Sequence, residues 1–179
     1  MSTEQEFIGG LWGGGGAFTQ SGGTHTITND LNIGEAAGSS GTYTLSSGTL
    51  RASNSYLGGI PSLCFRGSGT LNISEDGDAM LSVVLKLWDA GVVNLSGGML
   101  KAATIDNTNG GSFNVTGGTL AVDTFLGDLS VSDAMLAPGD SPGVTSITGD
   151  YSQDIDSILQ IEIGGLLAGS ERSWTFRGR

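Results

Sequence analysis

A short alternating phrase, opened by a glycine or another small residue, recurs seven times along this chain. The strong copies are Gly23-Thr24-His25-Thr26-Ile27, Gly48-Thr49-Leu50-Arg51-Ala52, Gly69-Thr70-Leu71-Asn72-Ile73, Gly98-Met99-Leu100-Lys101-Ala102 and Gly118-Thr119-Leu120-Ala121-Val122. Weaker ones follow at Ala134-Met135-Leu136-Ala137-Pro138 and Ser157-Ile158-Leu159-Gln160-Ile161. Their anchors lie 25, 21, 29, 20, 16 and 23 residues apart. A period of this size that wanders by insertion marks a solenoid whose turns differ in their loops, because each unit buries its apolar side only by stacking on the next.

Four of the copies follow a second phrase: Phe18-Thr19-Gln20-Ser21-Gly22, Tyr43-Thr44-Leu45-Ser46-Ser47, Val93-Asn94-Leu95-Ser96-Gly97 and Phe113-Asn114-Val115-Thr116-Gly117. Period two with β-branched and aromatic residues reads as strand, and glycine at the corner supplies the positive φ where the coil bends. The register predicted from the copies turns Phe18, Tyr43, Phe113 and Leu50, Leu71, Leu100, Leu120 inward and Arg51, Asn72, Lys101 outward. Strand alternation continues through 126–131 and 144–148, and only Met80 to Trp88 reads as a helical turn or insertion. The predicted fold is all-β: a right-handed parallel β-helix, or β-solenoid, with coils of about 20–25 residues. Its organisation reads as a Gly-rich segment or cap over 1–16, the β-helix over 17–165 and an atypical basic tail over 166–179. About eight coils at roughly 4.8 Å each would make a rod on the order of 40 Å long.

With 32 Gly, 22 Ser and 17 Thr against three Pro, the composition would suit disorder if the apolar residues were not periodic. Eighteen acidic and seven basic residues give a net charge of −11, which argues against nucleic acid or an anionic membrane surface as partner. Arg172, Arg177 and Arg179 hold three of the seven cations, so the first 171 residues carry four basic and 18 acidic side chains, or −14. The single cysteine, Cys64, excludes an internal disulfide and reads as a small apolar residue beside Leu63 and Phe65. No stretch approaches the roughly 18 apolar residues of a membrane span. Glu4, Glu6 and Gly13 to Gly16 are not the basic and apolar regions of a signal peptide. Either the protein stays inside the cell, or this is a piece of a longer exported one.

The wording of the coils, in FTQSGGTHTITNDLNIG, GTYTLSSGTLRA, FNVTGGTLAV and above all LAPGDSPGVTSITGDYSQ, resembles the glycine-rich parallel β-helix of bacterial autotransporter passengers and related surface proteins. The resemblance covers roughly residues 16 to 165 and is most specific over Ala137 to Gln153, with LQIEIGG at 159–165 resembling the strand that follows. It implies a rod for adhesion or display at a cell surface or outside the cell, with no catalytic set to transfer. The expected partner is a host surface or a polysaccharide, with the chain a monomer or stacked end to end. After Ser170-Glu171 the sequence RSWTFRGR departs from the family pattern, which reads as a shifted frame or a chance end.

Tempting motifs resolve into repeat positions. Gly139-Asp140-Ser141-Pro142-Gly143 matches the Gly-x-Ser-x-Gly nucleophile elbow, but Pro142 has no N–H for an oxyanion hole, the only histidine precedes the serine, and a strand pattern rather than a helix follows. His25 stands where later copies carry leucine, so it packs or caps, and without a second His or a Cys it makes no zinc site. Glu75-Asp76-Gly77-Asp78 lacks the ligand spacing of a calcium loop and reads as a solvated acidic turn. Asn72, Asn94 and Asn114 head literal sequons, but Asn94 and Asn114 fall at the same coil position, so repeat chemistry explains them without glycosylation, and Gly13 to Gly16 lacks the Lys-Ser/Thr of a phosphate loop. Catalytic, metal and cofactor sites are therefore all predicted as none.

Three functions compete. The first is a non-catalytic scaffold; the second is a polysaccharide-acting enzyme of the pectate-lyase-like kind, for which Arg51 and Lys101 share an outward slot two coils apart with no recurring carboxylate. The third is ice binding, for which Thr24-His25-Thr26-Ile27-Thr28 and the pair Thr42 and Thr44 offer threonines. The slot after the anchor varies through Thr, Arg, Asn, Lys and Ala, so no regular flat array is expected there.

Overall fold

The structure, a computed structural model, describes residues 1–10, 13–61, 66–139, 143–164 and 171–177, with the backbone alone for 162–164 and 171–177. Its strands are β1 (Ser2–Thr3), β2 (Glu6–Ile8), β3 (Gly15–Ile33), β4 (Ser40–Leu57), β5 (Ser68–Leu87), β6 (Gly91–Asp106), β7 (Ser112–Leu126), β8 (Leu129–Val131), β9 (Met135–Ala137), β10 (Ser146–Ile147), β11 (Tyr151–Gln153), β12 (Ile158–Gly164) and β13 (Glu171–Arg177). All strands pair in parallel except β12 with β13, and the described residues contain no helix. The result is a β-solenoid of about six turns.

Each of β3 to β7 makes a whole turn. Register shifts break it into three straight stretches, one per face. Face 1 comprises 15–20, 40–45, 68–73, 91–95 and 112–115; face 2 comprises 24–27, 49–52, 78–81, 99–102 and 119–122; face 3 comprises 30–33, 54–57, 84–87, 104–106 and 124–126. Before them, β1 and β2 form part of a turn on faces 2 and 3. Beyond β7, face 1 continues in β8 and β11, face 2 in β9 and β12, and face 3 in β10. The strand pattern expected over 144–148 is thus a strand only at Ser146–Ile147. β13 runs antiparallel on β12, where the basic tail was expected.

Alternation in the sequence becomes layering in space. Leu50, Ala79, Leu100, Leu120 and Leu136 form one inward column, and Tyr43, Leu71 and Val93 lie in another between Phe18 and Phe113. These belong to one continuous core of side chains with little or no exposure. Stacking identical positions buries like on like, so each apolar side chain is covered by its counterpart one turn away.

The third turn corrects the phase predicted from the copies. Gly48 pairs with Gly77, not Gly69, so the unit of this turn runs from Gly77 through Asp78, Ala79 and Met80 to Leu81. Leu71 belongs with Tyr43 and Val93, and Asn72 with Thr44 and Asn94. The slip has a physical cause: each turn carries two glycine positions, one at the start of face 1 and one before face 2, and both are followed by the same out-in alternation. At the first, Gly16, Gly41, Gly69 and Gly91 pair in register because the chain leaving face 3 passes against them. A Cβ on Gly69 would lie 2.0 Å from the Ile33 carbonyl oxygen. At the second, Gly23, Gly48, Gly98 and Gly118 have φ of 67°, 84°, 62° and 74°, while in the third turn the non-glycine Glu75 takes φ 51°. Met80 to Trp88, expected as helix or insertion, is the continuing strand β5 up to Leu87. Uneven turn length instead comes mainly from the links between faces 3 and 1, which run 34–39, 58–67, 88–90 and 107–111.

One inward position breaks the pattern. Ser55 lies in register between Leu31 and Leu85, is 0% exposed, and its hydroxyl has no hydrogen-bond partner. A buried unpaired hydroxyl costs about 1–3 kcal/mol. Ser55→Ala is expected to raise stability by about 1 kcal/mol in urea unfolding, the lost volume offsetting part of the gain. A fall of the midpoint would contradict the orphan hydroxyl.

Candidate functional site

The first full turn holds the only histidine of the chain in a buried polar cluster. His25 is 2% exposed and occupies the slot of Leu50, as its place in the repeat predicts. Its ring stacks on Phe18, with centroids 5.0 Å apart, and its Nδ1 lies 3.0 Å from the Tyr43 hydroxyl. That hydroxyl donates to Gln20 Oε1 at 2.5 Å, which leaves its lone pairs to receive the Nδ1 proton. Gln20, in the slot of Leu45, in turn donates its amide to the carbonyls of Gly23 and Thr49, each at 3.1 Å. Only Nε2 of His25 is left without a partner, with Glu6 Oε2 4.0 Å away, beyond hydrogen-bond reach.

Burial depresses the His25 pKa below the ordinary 6.5, opposed by the Glu6 carboxylate and aided by the amino terminus. Burial, then Glu6, pushes the Tyr43 hydroxyl far up, so it stays a phenol. This is a neutral cluster locked to the main chain. A base needs a proton to take, and here Nδ1 is occupied while Nε2 faces a carboxylate.

The sign of its pH dependence follows. With the folded pKa depressed, the unfolded chain binds a proton more readily, so stability is fully present above 6.5 and is lost as pH falls below it through the folded value. Asp154 adds a separate, lower window. Hydrogen bonds from the hydroxyls of Ser132 and Ser157 and from the Asp133 N–H hold its pKa down at about 2, so its contribution is lost only as pH falls below 3.8 toward that value. Melting temperature is therefore expected to decline below pH 6.5 in the natural protein and to stay flat in His25→Leu until carboxylates titrate. An unchanged slope in the variant would refute this assignment.

A groove of about 570 Å³ runs along face 2 and its corner toward face 3, lined among others by Arg51, Met80, Lys101 and Asp123. Arg51 and Lys101 do share one outward column, as predicted, but Met80 rather than Asn72 stands between them. Asp123 was not anticipated in their company. A Cβ on Gly139 would lie 1.7 Å from its Oδ1, so the carboxylate packs directly against that main chain. The groove thus joins two cations and one carboxylate over an apolar floor.

A second cationic cluster sits beyond face 3. The Arg66 guanidinium stacks 3.3 Å from the Trp88 ring centroid, and Lys86, 4.9 Å from the same ring, pairs with Asp106 at 2.6 Å. Hydrogen bonds from Lys86 and Thr108, outweighing desolvation together, hold the Asp106 pKa below the usual carboxylate value. Sequence spacing gave no signal for this contact, because Arg66 lies in the longest link and arrives from outside the repeat.

Face 1 carries the recurring polar residues. Asn94 donates its amide to Asn72 at 2.8 Å and Asn114 donates to Asn94 at 2.9 Å, so the three sequon asparagines form one ladder. The two outward columns that begin at Ala17 and Thr19 run in register across five turns and hold four Thr, three Asn, Ser112, Ala17 and Val92. None of these ten is charged, whereas beyond the break Ser21 leads in register through Ser47 to Asp76. By contrast the outward column of face 2 through Thr26, Arg51, Met80, Lys101 and Ala121 is the irregular slot that spoke against a threonine array.

Asp76 pairs in register with Ser47 and Asp78 with Thr49, so the acidic turn at 75–78 links faces 1 and 2 within the third turn. Among the described residues no group of three or more His, Cys, Asp or Glu is placed to hold a metal ion, and no helix is long and apolar enough to cross a membrane. Cys64 and the Asp140-Ser141-Pro142 part of the elbow-like motif lie outside the described residues. Comparison with protein-family models, with curated proteins and with solved structures gives no match.

Proposed function

We propose that the chain is a non-catalytic β-solenoid segment that serves as an adhesive, structural or display scaffold, carried at a cell surface or secreted. The observation that carries this reading is where the recurring polar side chains go. Those of face 1 bond to their own counterparts one turn away, as in the ladder from Asn72 through Asn94 to Asn114, and so stiffen a rod. Its resemblance to bacterial passenger β-helices and its acidic balance of −11, which keeps rods apart in solution, point the same way. A host surface or a polysaccharide is the partner this reading names.

The groove along face 2 favours a second reading, in which Arg51 and Lys101 hold an acidic polysaccharide and Asp123 acts on it. One experiment separates the two. The protein is incubated with pectin and alginate, and both polymer retention and new chain ends are measured. The scaffold reading expects an unchanged count of reducing and unsaturated ends. New ends that disappear in Asp123→Asn would replace it with the enzyme.

A further inference from the structure

Face 1 differs from the other two faces in a way that a rod alone does not require. A well-solvated surface carries about 25–35% charged side chains, so ten outward positions would ordinarily hold about three. Here they hold none, in a chain with 25 charged residues. Faces 2 and 3 follow the ordinary rule, with Arg51, Asp78 and Lys101 on one and Asp30, Lys86 and Asp106 on the other. Within face 1 the register runs without a shift across all five turns, every break falling beyond Gln20, Leu45, Ile73 or Leu95. Short side chains therefore repeat at about 4.8 Å from turn to turn and about 6.6 Å along each strand.

The groups are also held still. Asn72, Asn94 and Asn114 fix one another, and at the corner just beyond the array the hydroxyls of Ser46, Ser96 and Thr116 turn back onto main-chain carbonyls of the preceding turn at 3.4, 3.4 and 3.5 Å. Ordering them on binding then costs little more entropy. The carboxylates of Asp128 and Asp150 directly precede β8 and β11 and bound the array on that side.

What fits such a surface can be narrowed by chemistry. The array spans about 19 Å by 7 Å, or about 130 Å², well under the about 800 Å² per partner that a stable protein pair needs. A net charge of −11 further opposes a second copy. None of the ten positions is aromatic, so there is no platform on which a sugar ring could stack. A lattice of water molecules is different. One hydroxyl or amide gains little from one water, because bulk water offers the same bond, whereas a fixed two-dimensional repeat can meet many lattice waters at once. Methyls of threonine, valine and alanine fill space between them without holding a hydration shell as a charge does.

We propose that face 1 is an ice-binding surface, its rows of Thr, Ser and Asn engaging the ordered water of an ice crystal. This goes beyond the scaffold reading, since it gives one face of the rod a crystalline partner. The test measures thermal hysteresis, crystal habit and partition into growing ice, with the whole chain and two variants that keep the fold. Thr70→Lys places a charge at the centre of face 1, and Thr119→Lys places the same charge on face 2. The natural protein is expected to facet ice crystals and enter growing ice, Thr70→Lys to lose about tenfold of that activity, and Thr119→Lys to keep it. A folded natural protein that leaves crystal habit unchanged would overturn the proposal, as would equal loss in both variants. A solution dimer that Thr70→Lys abolishes would assign the face to a second copy and overturn it as well.

Discussion

Replacing Gly69 with alanine is expected to destabilise the solenoid by about 3 kcal/mol or more, lowering the melting temperature by about 6–12 °C. The added Cβ would stand 2.0 Å from the Ile33 carbonyl oxygen and 2.6 Å from the Gly58 nitrogen. Both are main-chain atoms of the corner where one turn passes into the next. They cannot swing away as a side-chain tip could, so two turns must separate or the ladder between β4 and β5 must shift. Gly22 provides the control, because nothing lies within 4 Å of a Cβ there and its φ is not positive. Gly22→Ala is expected to leave stability within about 0.5 kcal/mol. Urea unfolding of the two variants checks the pair, and equal effects would mean that the corner is looser than its geometry indicates.

Phe125→Ala is expected to cost about 3–5 kcal/mol, from the lost transfer of a large apolar side chain and the cavity left behind. Phe125 is 0% exposed, meets Phe113 edge to face at 5.1 Å, and stands in register between Ile105 and Ile147. Each turn contacts mainly its neighbours, so the damage should be local. Amide exchange is expected to lose protection first around β7, β8 and β10, while β3 to β5 keep theirs. Uniform loss along the chain would show instead that the turns unfold as a single unit.

Alternation and leucine spacing made the inward columns legible: the slots of Leu50, Leu100, Leu120 and Leu136 follow from counting alone. The fold class was accessible for the same reason, since period two and a wandering repeat leave few other solutions. The third turn was not, because Gly69-Thr70-Leu71 and Gly48-Thr49-Leu50 are the same phrase serving two different faces. That one slip separated Asn72 from Asn94 and Asn114 and put it in the place of Met80. Gln20 in an apolar slot was visible as an anomaly, but its partner Tyr43 is set by the closure of the first turn rather than by the repeat. Arg66 on Trp88 depends on a link whose path no periodicity encodes.

Face 1 and the groove both depend on the register of the third turn, and disulfide trapping reads that register directly. In a Cys64→Ser background, Asn72→Cys is combined either with Asn94→Cys or with Lys101→Cys and exposed to mild oxidant. Neighbouring positions of parallel strands lie about 4.8 Å apart, within the span that a disulfide bridges. Rapid, near-complete closure of the 72–94 pair and none of the 72–101 pair is the predicted result. Closure of the 72–101 pair instead would put Asn72 back in the slot of Arg51 and Lys101, and would dismantle both the ladder and the uncharged face.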